Sequence, residues 1–192
     1  MFFALCSLFL FVYIFFDNSL GFSETSAWWS HITYNFQHAG IIHLLLNAFC
    51  FSQFYKIFKK IFGKKKSWLF VLGSLFSAIA ASFLPFCIKP IATIGASGVI
   101  YAMIGIYFEL VIIKVVKVHK KNFFIWLSCL VIALTISYFN RRSAFELHLS
   151  CLCVGIMITS MYFYFRLKIR LCKMHKKINR YIASITKKAA GN

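Results

Sequence analysis

Only four of the 192 residues are acidic, and charged side chains make up 14% of the chain. Soluble domains carry about 25% charged and roughly 45–50% apolar residues. Here the apolar share is 61%. That balance excludes a Rossmann-type enzyme, a secreted disulfide domain and a disordered tail protein. The chain also lacks a CxxC pair, an HExxH sequence and an internal repeat of the inverted-topology kind. Residues 1–16 lack a basic n-region and a small-residue cleavage site, so they read as a retained first crossing. The seven cysteines are an odd number and lie mostly in apolar runs. Cys151 and Cys153 are too close for an easy bridge, and the set reads as buried small hydrophobes.

Long apolar runs fill the chain instead. One crossing needs about 20 apolar residues, so this length holds about six or seven crossings. Six runs are visible, at 1–16, 41–58, 68–88, 95–113, 123–139 and 147–165. The expected fold is all-α, a polytopic membrane protein with six transmembrane helices in residues 1–165. A basic tail follows at 166–192.

The net charge of +18 has a positional meaning. Nineteen of the 22 Lys and Arg residues fall in 56–66, 114–121 and 166–188. With six crossings these three regions share one face, leaving Lys89, Arg141 and Arg142 opposite. Asp17, Glu24 and Glu146 accompany those three on the outer side. By the positive-inside rule both termini are cytoplasmic. The charge is a topology signal, and nucleic acid is not an expected partner. In the tail, Leu171, Met174, Ile178, Tyr181, Ile182 and Ile185 recur at helical spacing, with Lys173, Lys176, Lys177 and Arg180 between them. Two readings stand: a basic amphipathic helix on anionic inner-leaflet lipids, or a solvated tail.

Polar groups inside apolar runs are costly and usually functional. His38, His43 and Asn47 open the second run. Gly95-Ala96-Ser97-Gly98 opens the fourth, with Tyr101 one turn on. His148 opens the sixth. All three sets lie at the outer ends of their helices. At ~100° per residue, His43 and Asn47 share a face, as do Ser97 and Tyr101, and His148 and Gly155. Taken singly, a membrane serine is usually bonded to its own backbone, and a membrane histidine is usually a buried hydrogen-bond partner. Three sets at one depth point further, to nucleophilic chemistry. Ser97 needs an adjacent base, and His148 is the candidate. His43 and Asn47 carry N–H groups that can stabilise an oxyanion. The backbone N–H of Ser97, in the first helical turn, has no intrahelical partner and can join them. Gly95 and Gly98 allow a close backbone approach. No aspartate is placed to orient His148, and Tyr101 can hold it by stacking. This is a Ser-His dyad. A metal is the rival reading of the histidines. His38 and His43, five residues apart, lie ~140° apart on a helix, a poor pairing for joint ligation, and His31, His119 and His175, in loops or the tail, read as surface residues.

The run His38 to Asn47, HAGIIHLLLN, resembles the HxxxxHxxxN signature of rhomboid intramembrane serine proteases. GASGVIYAMIG, Gly95 to Gly105, resembles their GxSG motif with its following Tyr and Gly. His148 with Gly155 resembles their last catalytic helix, and Trp29, Thr33 and Phe36 match the loop ahead of the His motif. The resemblance spans first crossing to sixth. It implies a rhomboid-like six-helix bundle with Ser97 as nucleophile and His148 as general base. His43, Asn47 and the Ser97 backbone would line the oxyanion hole. His38 would shape a water-retaining site, and Tyr101 would pack on His148. It implies single-pass membrane proteins as substrates, cut in or near the membrane segment, with no metal or cofactor. A bacterial plasma membrane is the expected location.

Two positions depart from that pattern. Ser30 follows Trp29 where the family often has Arg. Cys151 stands where it often has Gly, although Cys151 and Gly155 keep a small-xxx-small spacing. A looser helix contact there would move His148 away from Ser97. The alternative function is therefore a catalytically weak pseudoprotease of the same fold that binds membrane helices. A small transporter is a third reading, weakened by the lack of buried Asp/Glu/Lys pairs. Glu109 alone lies within a crossing.

Overall fold

The computed structural model describes residues 2–15, 20–139 and 144–189. Among the described residues six α-helices follow in order: α1 (Phe2–Phe15), α2 (Ser30–Thr33), α3 (Ile41–Ser82), α4 (Ser97–Ile112), α5 (Lys120–Phe139) and α6 (Phe145–Ala189). Short 3₁₀ turns occupy Tyr34–Phe36 and Pro85–Cys87. Extended pairing among the described residues is limited to one isolated antiparallel bridge, Phe22 with Thr93. The all-helical expectation holds. Asp17, Arg141 and Arg142 lie outside the described residues.

Apolar runs of this length become helices because a helix satisfies its backbone N–H and C=O groups internally. Among the described residues, three helices are long and apolar enough to cross a membrane: α3, α5 and the 145–175 part of α6. α4 is apolar but has only 16 residues, and α1 has 14. Length and apolarity therefore support a membrane helical bundle without fixing six separate crossings.

The expected basic loop at 59–66 is not a loop. Helical structure continues through it, interrupted only at Gly63 (φ 77°, ψ 167°). That conformation belongs almost solely to glycine. One residue therefore divides the apolar run at 41–58 from that at 68–88. The next basic segment is more open. α4 ends at Ile112, Lys114 adopts φ 57°, and the Val115 N–H donates to the Leu110 carbonyl at 2.9 Å. This i→i−5 bond satisfies a carbonyl that the helix end would leave bare.

The chain divides into two compact units, residues 1–158 and 159–192. In the first, Tyr34, Phe22, Phe58, Met103, Ile106, Leu110 and Leu147 are fully buried. Within that unit α4 and α6 touch backbone to backbone. A methyl at Gly105 would overlap the Leu152 carbonyl, and one at Gly155 would overlap the Ala102 carbonyl. Small residues let two membrane helices approach this closely. The second unit is the remainder of α6. Leu171, Met174 and Ile178 are exposed there, as are Cys172, Lys173 and His175. The side chains of Lys176, Lys177, Arg180, Tyr181, Ile182 and Ile185 lie outside the described set.

Gly63→Ala should lower stability by about 1–3 kcal/mol, the cost of this backbone region for an L-residue. The added methyl meets nothing within 4 Å, so the loss reports conformation alone. Gly40 is extended at φ 179° and also has open space, so Gly40→Ala should change little. Thermal unfolding in detergent compares the two.

Candidate active site

Three helices begin at one place. His43 and Asn47 lie in the first turns of α3, Ser97 is the first residue of α4, and His148 lies in the first turn of α6. Helix N-termini carry about half a positive charge and unsatisfied N–H groups, so their convergence favours a developing anion.

Ser97 Oγ and His148 Nε2 are 2.8 Å apart. This is hydrogen-bond distance, with geometry suited to proton transfer from hydroxyl to imidazole. Ser97 is half-buried, whereas His148 is buried. The Tyr101 ring stacks on His148 with centroids 4.4 Å apart and planes 21° from parallel. The Cys151 departure does not separate the pair. Its thiol lies over Gly98, where a β-carbon would come within 3.2 Å of the sulfur.

Gly95, at φ 122°, adopts a conformation that disfavours a side chain. A β-carbon there would sit 2.7 Å from His43 Cε1 and 3.6 Å from Asn47 Nδ2. Its absence lets the segment before Ser97 lie directly on both side chains. Asn47 is buried, and its Nδ2 has no hydrogen-bond partner among the described residues. A buried unmet donor costs about 1–3 kcal/mol, and such groups persist where a ligand or reacting atom satisfies them. His38 packs edge-on against His43 at 5.2 Å. No cluster of three or more potential metal ligands exists among the described residues.

The segment ahead of α3 holds this arrangement from one side. The Tyr34 carbonyl accepts the Gly95 N–H at 2.9 Å, and the Tyr34 hydroxyl donates to the Ala78 carbonyl at 3.0 Å. Thr33 Oγ1 donates to the Leu20 carbonyl, and Gln37 Oε1 accepts the Leu20 N–H. Ser30 is buried and turns its hydroxyl back to Ala27. The loop is thus braced by Thr33, Tyr34 and Gln37 without an arginine at position 30. His31, which reads as a surface residue from sequence, is buried. It stacks between Phe22 and Phe83, with Nδ1 3.1 Å from Ser82 Oγ. Tyr34 and His31 carry no motif, and only their packing identifies them. A further residue without a sequence signal is Ser137 on α5, whose Oγ lies 2.9 Å from His148 Nδ1. Lys89 and Glu146 form an ion pair near the start of α6.

A membrane bundle with a serine and a histidine paired at its helix starts defines a class, and sequence comparison agrees. The Rhomboid domain family profile matches residues 25–165, so the chain belongs to the rhomboid family, and it is an integral membrane protein. Among curated proteins it is similar to the one named "Putative rhomboid protease YdcA" of Bacillus subtilis (strain 168), 27% identical over 134 residues. That match covers 69% of this chain and 66% of the relative.

His38 precedes α3, and burial followed by the nearby His43 holds its pKa down at about 4 despite a backbone hydrogen bond at Phe36. It is neutral in the folded protein at neutral pH but titrates near 6.5 when unfolded. Its contribution is therefore intact above pH 6.5 and is lost as the pH falls towards 4. Unfolding temperature should drop across that window, and the drop should be shallower in His38→Gln.

Proposed function

We propose that this protein is an intramembrane serine endopeptidase with six membrane crossings, both termini cytoplasmic and a Ser97–His148 dyad. The 2.8 Å Ser97–His148 contact carries the proposal. In the proposed reaction the Ser97 proton passes to His148 Nε2 as Oγ bonds to the scissile carbonyl carbon. The carbonyl π electrons move to oxygen, forming a tetrahedral oxyanion. Asn47 Nδ2, the His43 ring N–H and the Ser97 backbone N–H are the donors assigned to it. Collapse expels the amine, which takes the proton from His148 and leaves an acyl-enzyme. Water then attacks the ester with His148 again as base, releasing the acid and restoring Ser97.

Tyr101 positions the imidazole, and Gly95, Gly98 and Gly155 supply the close approaches. His38 shapes the polar pocket beside His43. The substrates are transmembrane proteins that unwind locally near the cut, since a helix hides its scissile carbonyl in hydrogen bonds. No metal or cofactor takes part in these steps. The bacterial relative supports a bacterial plasma membrane. The charge pattern supports residues 1–165 as the membrane domain and 166–192 as a tail on anionic lipid. Neutralising Lys173, Lys176, Lys177 and Arg180 together should weaken association of that tail with anionic vesicles. Unchanged association would remove the lipid role.

Labelling of the detergent-solubilised protein by a fluorophosphonate tests the dyad. Wild type should label, and Ser97→Ala and His148→Ala should not. Cleavage of a transmembrane substrate should follow the same order, with Asn47→Ala slowed about 10²-fold, as loss of one oxyanion donor implies. Equal cleavage by wild type and Ser97→Ala would overturn the protease reading. Binding of substrate without turnover would leave the pseudoprotease.

A further inference from the structure

Several helix hydroxyls turn back on their own backbone. Ser74 donates to the Phe70 carbonyl, Ser77 to Gly73 and Thr135 to Val131. Ser137 reaches another helix, placing its Oγ 2.9 Å from His148 Nδ1. It is 6% exposed, on a helix whose neighbouring Ile136, Tyr138 and Phe139 face outward. Among the described residues it is the buried residue of α5. Ring contacts hold both ends of that helix, Phe123 on Phe108 and Trp126 on Phe54 near its start and Tyr138 on Phe145 near its end.

Resting on the protease reading, we propose that Ser137 is a positioning residue that fills the place a carboxylate takes in a catalytic triad. For attack, Nε2 must accept the Ser97 proton, so the proton of neutral His148 must be on Nδ1. Once Nε2 is protonated, both ring nitrogens carry hydrogen, and the buried Nδ1–H needs an acceptor. Ser137 Oγ stands where that acceptor is required, in both the resting tautomer and the imidazolium. Glu146, two residues before His148, is engaged with Lys89. A hydroxyl is a weaker partner than a carboxylate, but it adds no second buried charge to desolvate. Because the group rides on α5, the Nδ1–H of His148 keeps this acceptor only while the outer end of α5 stays seated against α6.

The test is the rate of fluorophosphonate labelling by the full-length protein in detergent. In that reaction the Ser97 proton moves to Nε2, the Oγ–P bond forms and fluoride leaves. Ser137→Thr keeps the hydroxyl, and Ser137→Val has nearly the same shape without it. Ser137→Val and Ser137→Ala should lower the limiting labelling rate about tenfold, the kinetic worth of one neutral hydrogen bond. The half-saturating probe concentration should stay unchanged, and Ser137→Thr should restore the rate. Equal rates for the Thr and Val variants, or a wild-type rate for Ser137→Ala, would overturn the positioning role while leaving the dyad intact. A wild type that does not label removes the protease reading and this inference with it.

Discussion

The distance between the α4 and α6 backbones governs the site. Ser97 is on one helix and His148 is on the other, each near its start. Two glycines set that distance, Gly105 against the Leu152 carbonyl and Gly155 against the Ala102 carbonyl. Neither leaves room for a methyl group. A displacement of about 1 Å in a catalytic pair can cost about 100-fold in rate. The two contacts lie further along the helices than the dyad, so they act as a fulcrum for it. Cys151 is accommodated because its sulfur faces the bare α-carbon of Gly98. A small residue on one helix compensates for the larger one on the other.

The second constraint is the irregular segment around α2. Its polar backbone groups find partners within the protein, as buried irregular structure requires. Phe22 and Thr93 exchange backbone hydrogen bonds, and the Glu24 N–H donates to the Lys89 carbonyl. Tyr34 ties this segment both to Gly95 and to α3. The residue two before the serine is thus fixed from outside its own helix. That fixes the approach of Gly95 to His43 and Asn47, which a positive φ without a side chain makes geometrically feasible.

In the proposed mechanism no carboxylate stands at the histidine; its Nδ1 lies against the Ser137 hydroxyl. Helix N-termini, amide and imidazole N–H groups surround the place where negative charge would develop. Preorganised dipoles of this kind cost no reorganisation at the moment of reaction. They also suit a low-dielectric setting, where a buried ion would be expensive. The hydroxyl of Ser137 and the stacked ring of Tyr101 hold the imidazole by neutral contacts.

The sequence alone determined the helical class, the segment order, the charge asymmetry and the motif residues. These were legible because apolar runs must become helices, and because Ser97, His148, His43 and Asn47 stand at fixed spacings within them. It did not determine that Gly63 alone breaks α3, since a lysine-rich stretch reads as a loop although its residues tolerate helix. It also placed His31 on the surface, since a histidine in a polar segment gives no sign that Phe22 and Phe83 will enclose it. Tyr34 and Ser137 were equally silent. Tyr34 acts across 44 residues to Ala78 and Ser137 from one helix to the next, and a tyrosine or serine carries no periodic signal of its own. Local chemistry is written into the order of residues. Which side chain meets which imidazole nitrogen is decided when helices pack, because only packing brings α5 within hydrogen-bond reach of α6.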